Sequence, residues 1–144
     1  TMTKYCTSSS YGTYGTVDNK TELEPSDDAA TVNWGSGWQM PSKEQRDELI
    51  NISYITKTWT TLNGVKGWKI TSKSNGNSIF LPAAGRHKDM SLVNTGNIGY
   101  YWSRSLYTSY SDYAYNLYFD SRNLVTGPNY RCYGRSVRPV RVKK

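Results

Sequence analysis

Cysteine and histidine are scarce in this sequence, and their scarcity excludes several kinds of site. Only Cys6 and Cys132 are present, so neither a multi-disulfide scaffold nor a four-cysteine zinc site can form. A single pairing of these two cysteines stays open. His87 is the only histidine, and a lone histidine in a polar loop near Asp89 does not make a catalytic constellation. No apolar run approaches the length of a transmembrane helix, so we expect no membrane insertion.

Carboxylates are also few where catalysis or calcium binding would need them. Asp89, Asp112 and Asp120 stand apart from one another among basic and neutral residues. Glycoside hydrolysis requires a pair of carboxylates, and calcium requires roughly six to eight oxygen ligands. We therefore expect no enzymatic activity, no cofactor and no metal site.

Charge is distributed unevenly along the 144 residues, which we expect to form one domain. Residues 1–48 hold four Lys/Arg and eight Asp/Glu, and residues 49–144 hold fourteen and three, so the net charges are −4 and +11. The basic part could attract an acidic protein surface, an anionic glycan or nucleic acid, or could be a solvated surface without a partner. Lysine is absent between Asp89 and Val142, which makes nucleic acid the least expected of these partners.

Tyrosine is the abundant residue, and nine of the thirteen tyrosines lie between Tyr100 and Tyr133. They alternate with Ser, Thr, Asn, Asp and Arg, a mixture typical of antibody paratopes rather than of hydrophobic cores. Some rings, among them Tyr100, Tyr101 and Tyr115, are instead expected to pack with their hydroxyls at the rim. The residues that we expect to contact a ligand are Arg104, Tyr107, Tyr110, Asp112, Tyr113, Asn116, Tyr118, Asn123, Asn129, Tyr130, Arg131 and Tyr133.

Two helices are predicted after a loop-rich part at residues 1–20. Residues 25–28, Pro-Ser-Asp-Asp, predict the start of a short helix with Ser26 as N-cap, ending before Gly35. Ser42 and Gln45 have the spacing of a capping box, and the apolar residues after them predict a helix over residues 43–52.

Strand patterns follow the second helix. Residues 59–62 and 67–71 flank Asn63-Gly64, a favoured hairpin turn, and residues 78–81 predict a third strand. Residues 83–97 are rich in glycine and polar residues and predict a long irregular connection.

Three more strands are predicted at residues 100–103, 115–120 and 135–141. Alternation in the middle one assigns Tyr115, Leu117 and Phe119 to the core and their neighbours Asn116, Tyr118 and Asp120 to the surface. Two helices followed by short antiparallel strands predict an α+β domain.

Four segments in a fixed order resemble a known family. They are Asp-Asp-Ala-Ala at 27–30 with Trp-Gly-Ser-Gly-Trp-Gln-Met-Pro-Ser at 34–42, Ile-Phe-Leu-Pro-Ala-Ala-Gly at 79–85, Gly-Tyr-Tyr-Trp-Ser at 99–103 and Ser-Val-Arg-Pro-Val at 136–140. Over residues 20–142 the chain is similar to the Fibrobacter-succinogenes-type major paralogous domain of gut Bacteroidetes. The resemblance implies a C-type-lectin-like fold, akin to that of the formylglycine-generating enzyme, with two helices, short antiparallel strands and long irregular loops. The copper-binding cysteine pair of that enzyme has no counterpart here.

A subset of that family, in gut bacteria and their phages, is diversified at its C-terminal stretch by retroelements. The resemblance implies that residues 100–135 are a variable ligand-binding segment on a secreted, cell-surface or phage-virion protein. We thus expect non-enzymatic binding of a protein receptor. The alternative is a carbohydrate-binding, lectin-like module of a bacterial surface protein, with a surface glycan as its ligand. The oligomeric state stays open.

Overall fold

Strands dominate the computed structural model, which describes residues 2–142. Strand residues together with isolated bridge residues make up 42% of this part of the chain, against 11% for helix. In chain order the elements are a 3₁₀ turn (Thr13–Gly15), α1 (Ala29–Trp34), β1 (Trp38–Gln39), α2 (Lys43–Leu49), β2 (Ile55–Leu62), β3 (Val65–Ser72), β4 (Ser78–Pro82), β5 (Arg86–Lys88), β6 (Ser91–Val93), β7 (Gly99–Leu106), β8 (Tyr113–Phe119), β9 (Leu124–Tyr130) and β10 (Val140–Arg141). The prediction of an α+β, C-type-lectin-like domain is therefore wrong, because the chain forms several small antiparallel sheets with two short helices.

The helices begin close to where the sequence predicts but are short. Asp28, not Ser26, caps α1, since its carboxylate accepts hydrogen bonds from the backbone N–H groups of Ala30 and Thr31. The capping box at Ser42 is confirmed. A cap fixes the start of a helix and not its length, and α2 ends at Leu49 with Ile50 as its C-cap, short of the predicted end at residue 52.

The three-stranded sheet β2–β3–β4 confirms the predicted hairpin. Asn63 and Gly64 adopt φ values of 50° and 80°, the left-handed backbone that the tight turns of hairpins require. Register places Trp59 opposite Trp68, and β4 adds to the other edge of β3. Local turn chemistry is thus enough to specify this sheet.

Two other predictions fail in the second half of the chain. Residues 83–97 are not irregular, because they contain the hairpin of β5 and β6. The predicted strand at residues 135–141 shrinks to β10, which pairs with β1, while Ser136 forms a single parallel bridge to Tyr101. In addition β9, which the sequence reading missed, completes the sheet β7–β8–β9.

The core lies between the sheets β2–β3–β4 and β7–β8–β9, with α2 at its side. Its members are Ile55, Trp68, Ile70, Leu81, Ala83, Tyr101, Leu117, Phe119 and Leu124. Phe119 stacks on Tyr101, with ring centroids 5.9 Å apart. A Cβ atom on Gly99 would lie 2.0 Å from the Phe119 ring, so this position requires glycine for close packing. The core thereby fixes the strands that carry the tyrosine-rich segment.

Candidate functional site

A row of tyrosines continues the core face of β8 beyond the end of the core. Side chains alternate along a strand, so Tyr113 and Tyr115 lie on the same face as Leu117 and Phe119. Tyr130 of β9 is the cross-strand neighbour of Tyr113. The leucine and phenylalanine are buried, whereas the two β8 tyrosines are only partly covered.

Seven tyrosine rings meet at this end of the sheet, and we call them the tyrosine cluster. Its members are Tyr11, Tyr107, Tyr110, Tyr113, Tyr115, Tyr130 and Tyr133. The tightest pair is Tyr113 and Tyr130, whose ring centroids are 4.3 Å apart. Tyr110 and Tyr130 remain 52% and 44% exposed. The cluster is therefore interlocked within itself and open to solvent on its outer side.

The turn between β7 and β8 positions the first rings of the cluster. The Tyr110 N–H donates to the Tyr107 carbonyl at 3.3 Å, and the Tyr113 N–H donates to the Tyr110 carbonyl at 3.0 Å. Ser111, in the same turn, is fully buried and its Oγ accepts a hydrogen bond from the Thr7 N–H at 2.9 Å. The turn is thus anchored on the N-terminal loop that also carries Tyr11.

Arg131 serves as a clamp for that loop. Its Nη1 donates to the carbonyls of Ser111 at 2.8 Å and Tyr5 at 3.1 Å, and its Nη2 donates to the carbonyl of Lys4 at 3.3 Å. Burial lowers the pKa of the Arg131 guanidinium from its ordinary value. Because three of its hydrogen bonds go to the protein's own backbone, Arg131 has a structural role, and its assignment as a ligand contact stays a prediction.

Two arginines stack on three aromatic rings at the edge of the cluster, and one of these rings is the cluster member Tyr133. The Arg86 guanidinium lies 4.3 Å from the ring centroid of Tyr133 and 4.9 Å from that of Tyr100. The Arg135 guanidinium lies 4.2 Å from the ring centroid of Trp102. Burial, and then the neighbouring Arg86, lower the pKa of Arg135 to about 10, so the Arg135 guanidinium remains cationic at neutral pH. Stacking of this kind contributes about 0.5–1 kcal/mol per pair.

Asp112 lies beside the cluster, and its charge contributes to raising the pKa of nearby tyrosines. Burial and then the charge of Asp112 raise the pKa of Tyr11. A hydrogen bond to the Tyr130 side chain, followed by burial, raises the pKa of Tyr113 to about 12. One carboxylate oxygen of Asp112 is buried without a hydrogen-bond partner.

The structure brings together five of the residues predicted to contact a ligand, and Asp112 adjoins them. These five are Tyr107, Tyr110, Tyr113, Tyr130 and Tyr133. Sequence reasoning missed Tyr11, although its Ser/Gly/Tyr surroundings share the composition of the C-terminal segment. Tyr115, which alternation assigned to the core, is half-buried and belongs to the cluster, 5.4 Å from Tyr107.

The other predicted contacts lie elsewhere. Asn116 is 3% exposed and donates to the Gly127 carbonyl at 2.7 Å, so its assignment to the surface is wrong. Arg104 forms an ion pair with Glu22 at 3.1 Å. Tyr118 packs on Tyr100, Asn123 hydrogen-bonds to Asp120 in a turn, and the Asn129 side chain accepts from the Tyr130 N–H. Each of these residues thus contacts another residue of the protein outside the tyrosine cluster or in its own turn or strand.

Nothing assembled in residues 2–142 offers a metal centre. That part of the chain contains no group of three or more His, Cys, Asp or Glu side chains placed to hold an ion. The pairing of Cys6 with Cys132 does not occur, since both are free thiols, the first buried and the second exposed. No helix of the described residues is long and apolar enough to cross a membrane.

Comparison with known proteins yields one family. The model of the family described as "Domain of unknown function (DUF8237)" matches residues 50–140. This is more than half of the chain, and the chain therefore belongs to that family. The matched region runs from just before β2 to the start of β10 and includes every member of the tyrosine cluster except Tyr11. Neither a curated protein nor a solved structure matches the chain.

Proposed function

We propose that this member of the DUF8237 family binds a protein receptor, without catalysis, through the tyrosine cluster. The observation that carries the proposal is the meeting of seven tyrosine rings at one end of the β7–β8–β9 sheet, two of them about half exposed. Tyrosine offers a large, rigid contact area with a polar tip, and it is enriched at the hot spots of interfaces.

Preorganisation favours this use of the cluster. Binding costs free energy when mobile side chains become ordered. Here Tyr107, Tyr113 and Tyr130 each already contact two or more other rings of the cluster. The surface is therefore held in place before a partner arrives, by the same strands that form the core.

Charge suggests the character of the partner. Arg86 stacks on Tyr133 at the edge of the cluster, and the chain after residue 48 has a net charge of +11. Complementary charge raises association rates and suppresses wrong partners. An acidic epitope on a receptor is the expected match.

The resemblance to retroelement-diversified proteins extends the proposal. If the segment varies between related copies, the variation should fall on exposed members of the cluster, such as Tyr110 and Tyr130. It should spare Asn116 and Arg131, whose side chains hold the fold. Sequencing of related gene copies checks this distribution.

The decisive experiment removes the cluster and compares it with matched tyrosines elsewhere. The test variant replaces Tyr110, Tyr113 and Tyr130 with Ala, and the control replaces Tyr14 and Tyr54, which are exposed and outside the cluster. Both are screened against displayed receptor ectodomains and a glycan array. We expect the test variant to lose at least tenfold in receptor affinity, the control to retain it, and both to melt within a few degrees of the parent.

Two outcomes would overturn the proposal. Unchanged receptor binding by the test variant would exclude the cluster, and a collapse of its melting temperature would assign the rings to the core. Binding to the glycan array, competed by free sugar, would support the carbohydrate-binding alternative. The exposed rings of Tyr110 and Tyr130 favour that alternative, since tyrosine rings can stack on the faces of sugars.

A further inference from the structure

A second candidate site lies in a cavity of about 380 Å³ between the N-terminal segment, α1 and the β7–β8 strands. This volume is within the range of small-molecule pockets. Much of its wall is apolar, formed by Leu23, Met40, Trp102, Leu106, Ala114 and Val137. The Tyr133 ring of the cluster lies 5.8 Å from the Arg135 guanidinium, but among the described residues the cavity wall includes no tyrosine of the cluster. The cavity is thus distinct from the tyrosine cluster.

Arg135 lines this cavity with a guanidinium that lacks hydrogen-bond partners. Its Nε, Nη1 and Nη2 atoms are all buried, and none of them is hydrogen-bonded. In the described part of the chain no carboxylate forms an ion pair with it. Stacking on Trp102 at 4.2 Å and on Tyr100 at 5.1 Å fixes the plane of the group. Buried donors are normally satisfied, and this one is oriented and unused.

The other two arginines of the wall already have partners, although the Arg104 Nε is buried without one. Arg104 is ion-paired with Glu22 at 3.1 Å. Arg131 donates to three backbone carbonyls. Arg135 is therefore the cationic group of the cavity with capacity for a ligand.

The hydroxyl groups of the wall are occupied as well. The Ser103 Oγ donates to the Tyr115 carbonyl at 2.8 Å, and the Ser105 Oγ donates to the Glu22 carboxylate at 3.2 Å. A phosphate group carries close to two negative charges at neutral pH, which a single guanidinium does not balance. A carboxylate needs only the two parallel N–H donors that an arginine presents.

We propose that this cavity binds a small organic monocarboxylate, whose carboxylate pairs with Arg135 and whose apolar body packs on Met40, Leu106 and Val137. Because these nitrogens are buried, the guanidinium has to slide within its stacking plane toward the cavity for this pairing. Binding then replaces an unpaired cation with a bidentate pair and covers apolar surface in the same step. Neither partner recognition nor the tyrosine cluster is involved.

The test uses hexanoate as the probe and isothermal titration calorimetry as the readout. Hexanamide, which has the same apolar body without the charge, and inorganic phosphate serve as comparison probes. The variant Arg135→Gln is paired with Arg122→Gln, which removes the same charge from an exposed turn outside the cavity. We expect hexanoate to bind the parent and Arg122→Gln equally and Arg135→Gln at least tenfold more weakly. Hexanamide and phosphate should bind much more weakly than hexanoate.

A second variant keeps the test decisive if Arg135→Gln does not fold. Ala29→Leu enlarges a half-buried side chain of the cavity wall and leaves the guanidinium intact. It should also weaken hexanoate binding, while the triple Ala variant of Tyr110, Tyr113 and Tyr130 should bind hexanoate like the parent. Equal affinity of the parent for hexanoate and hexanamide, equal binding by Arg135→Gln and Arg122→Gln, or no hexanoate binding at millimolar concentration would each overturn the proposal.

Discussion

The two ends of the β7–β8–β9 sheet project aromatic and aliphatic side chains from the same face, yet their surroundings differ. At one end Leu117, Phe119 and Leu124 are covered by the sheet β2–β3–β4 and are buried. The sheet β2–β3–β4 does not extend to the other end, where Tyr113 and Tyr130 are covered mainly by other tyrosines. A single pair of strands therefore serves both as core and as an open surface.

The two ends differ in the type of aromatic side chain, because only the side chains at the open end contact water. A phenylalanine at the open end would expose apolar surface with nothing to offset it. Tyrosine keeps the aromatic contacts and adds a hydroxyl for solvent or for a partner. Substitutions at the core end should thus act on folding, and those at the tyrosine end on binding.

The largest expected effect comes from Phe119→Ala at the core end. The side chain is fully buried and contacts Tyr101 and Trp59. Loss of its burial and the cavity left behind should lower the free energy of unfolding by about 3–5 kcal/mol. The matched change on the same face of β8, Tyr113→Ala, should cost about 1 kcal/mol. Urea denaturation followed by tryptophan fluorescence measures both, and equal losses would erase the distinction between the two ends.

A smaller effect is expected of Arg131→Ala, which lies in sequence next to Tyr130 but is used by the fold. Removal of its guanidinium leaves the carbonyls of Tyr5 and Ser111 without their donor. We expect the free energy of unfolding to fall by about 2 kcal/mol. Hydrogen exchange should then show faster opening of the N-terminal loop around Tyr5, and a stability equal to that of the parent would return Arg131 to the binding surface.

Local signals in the sequence predicted the parts of the fold that depend on neighbouring residues. The hairpin turn at Asn63-Gly64 and the capping box at Ser42 need only adjacent residues, and both are confirmed. The roles of Arg131 and Asn116 depend on distant partners. Arg131 donates a hydrogen bond to the carbonyl of Lys4, which is 127 residues away in the sequence, and no spacing rule predicts such a contact.

The alternation rule failed at one position for a physical reason. It assumes that one face of a strand is covered and the other is open. At Asn116 both faces are covered, since the side chain is 3% exposed and donates to the carbonyl of Gly127. The same rule worked for Leu117 and Phe119, and it assigned Tyr115 to the core without showing that the core ends before reaching this residue. Composition identified the tyrosine-rich segment, but only the structure separates its members into cluster, clamp and core.

The subtlest expected difference between the two ends concerns protons. Hydrogen bonding to the Tyr130 side chain and burial raise the pKa of Tyr113 to about 12, above its ordinary value of 10.0. The neutral phenol is thus favoured in the folded state, so its contribution to stability is complete below about pH 10 and is lost as the pH rises toward 12.

Tyr130→Phe keeps the ring stacking but removes the hydroxyl, and the pKa of Tyr113 should fall toward its ordinary value. The near-ultraviolet difference spectrum between parent and variant, recorded where circular dichroism shows a folded chain, should reveal one tyrosine ionising earlier in the variant. In contrast Tyr101 at the core end, where burial raises the pKa to about 12, should titrate alike in both proteins. Identical titration curves would mean that the two hydroxyls do not interact, and the rings would then be held by stacking alone.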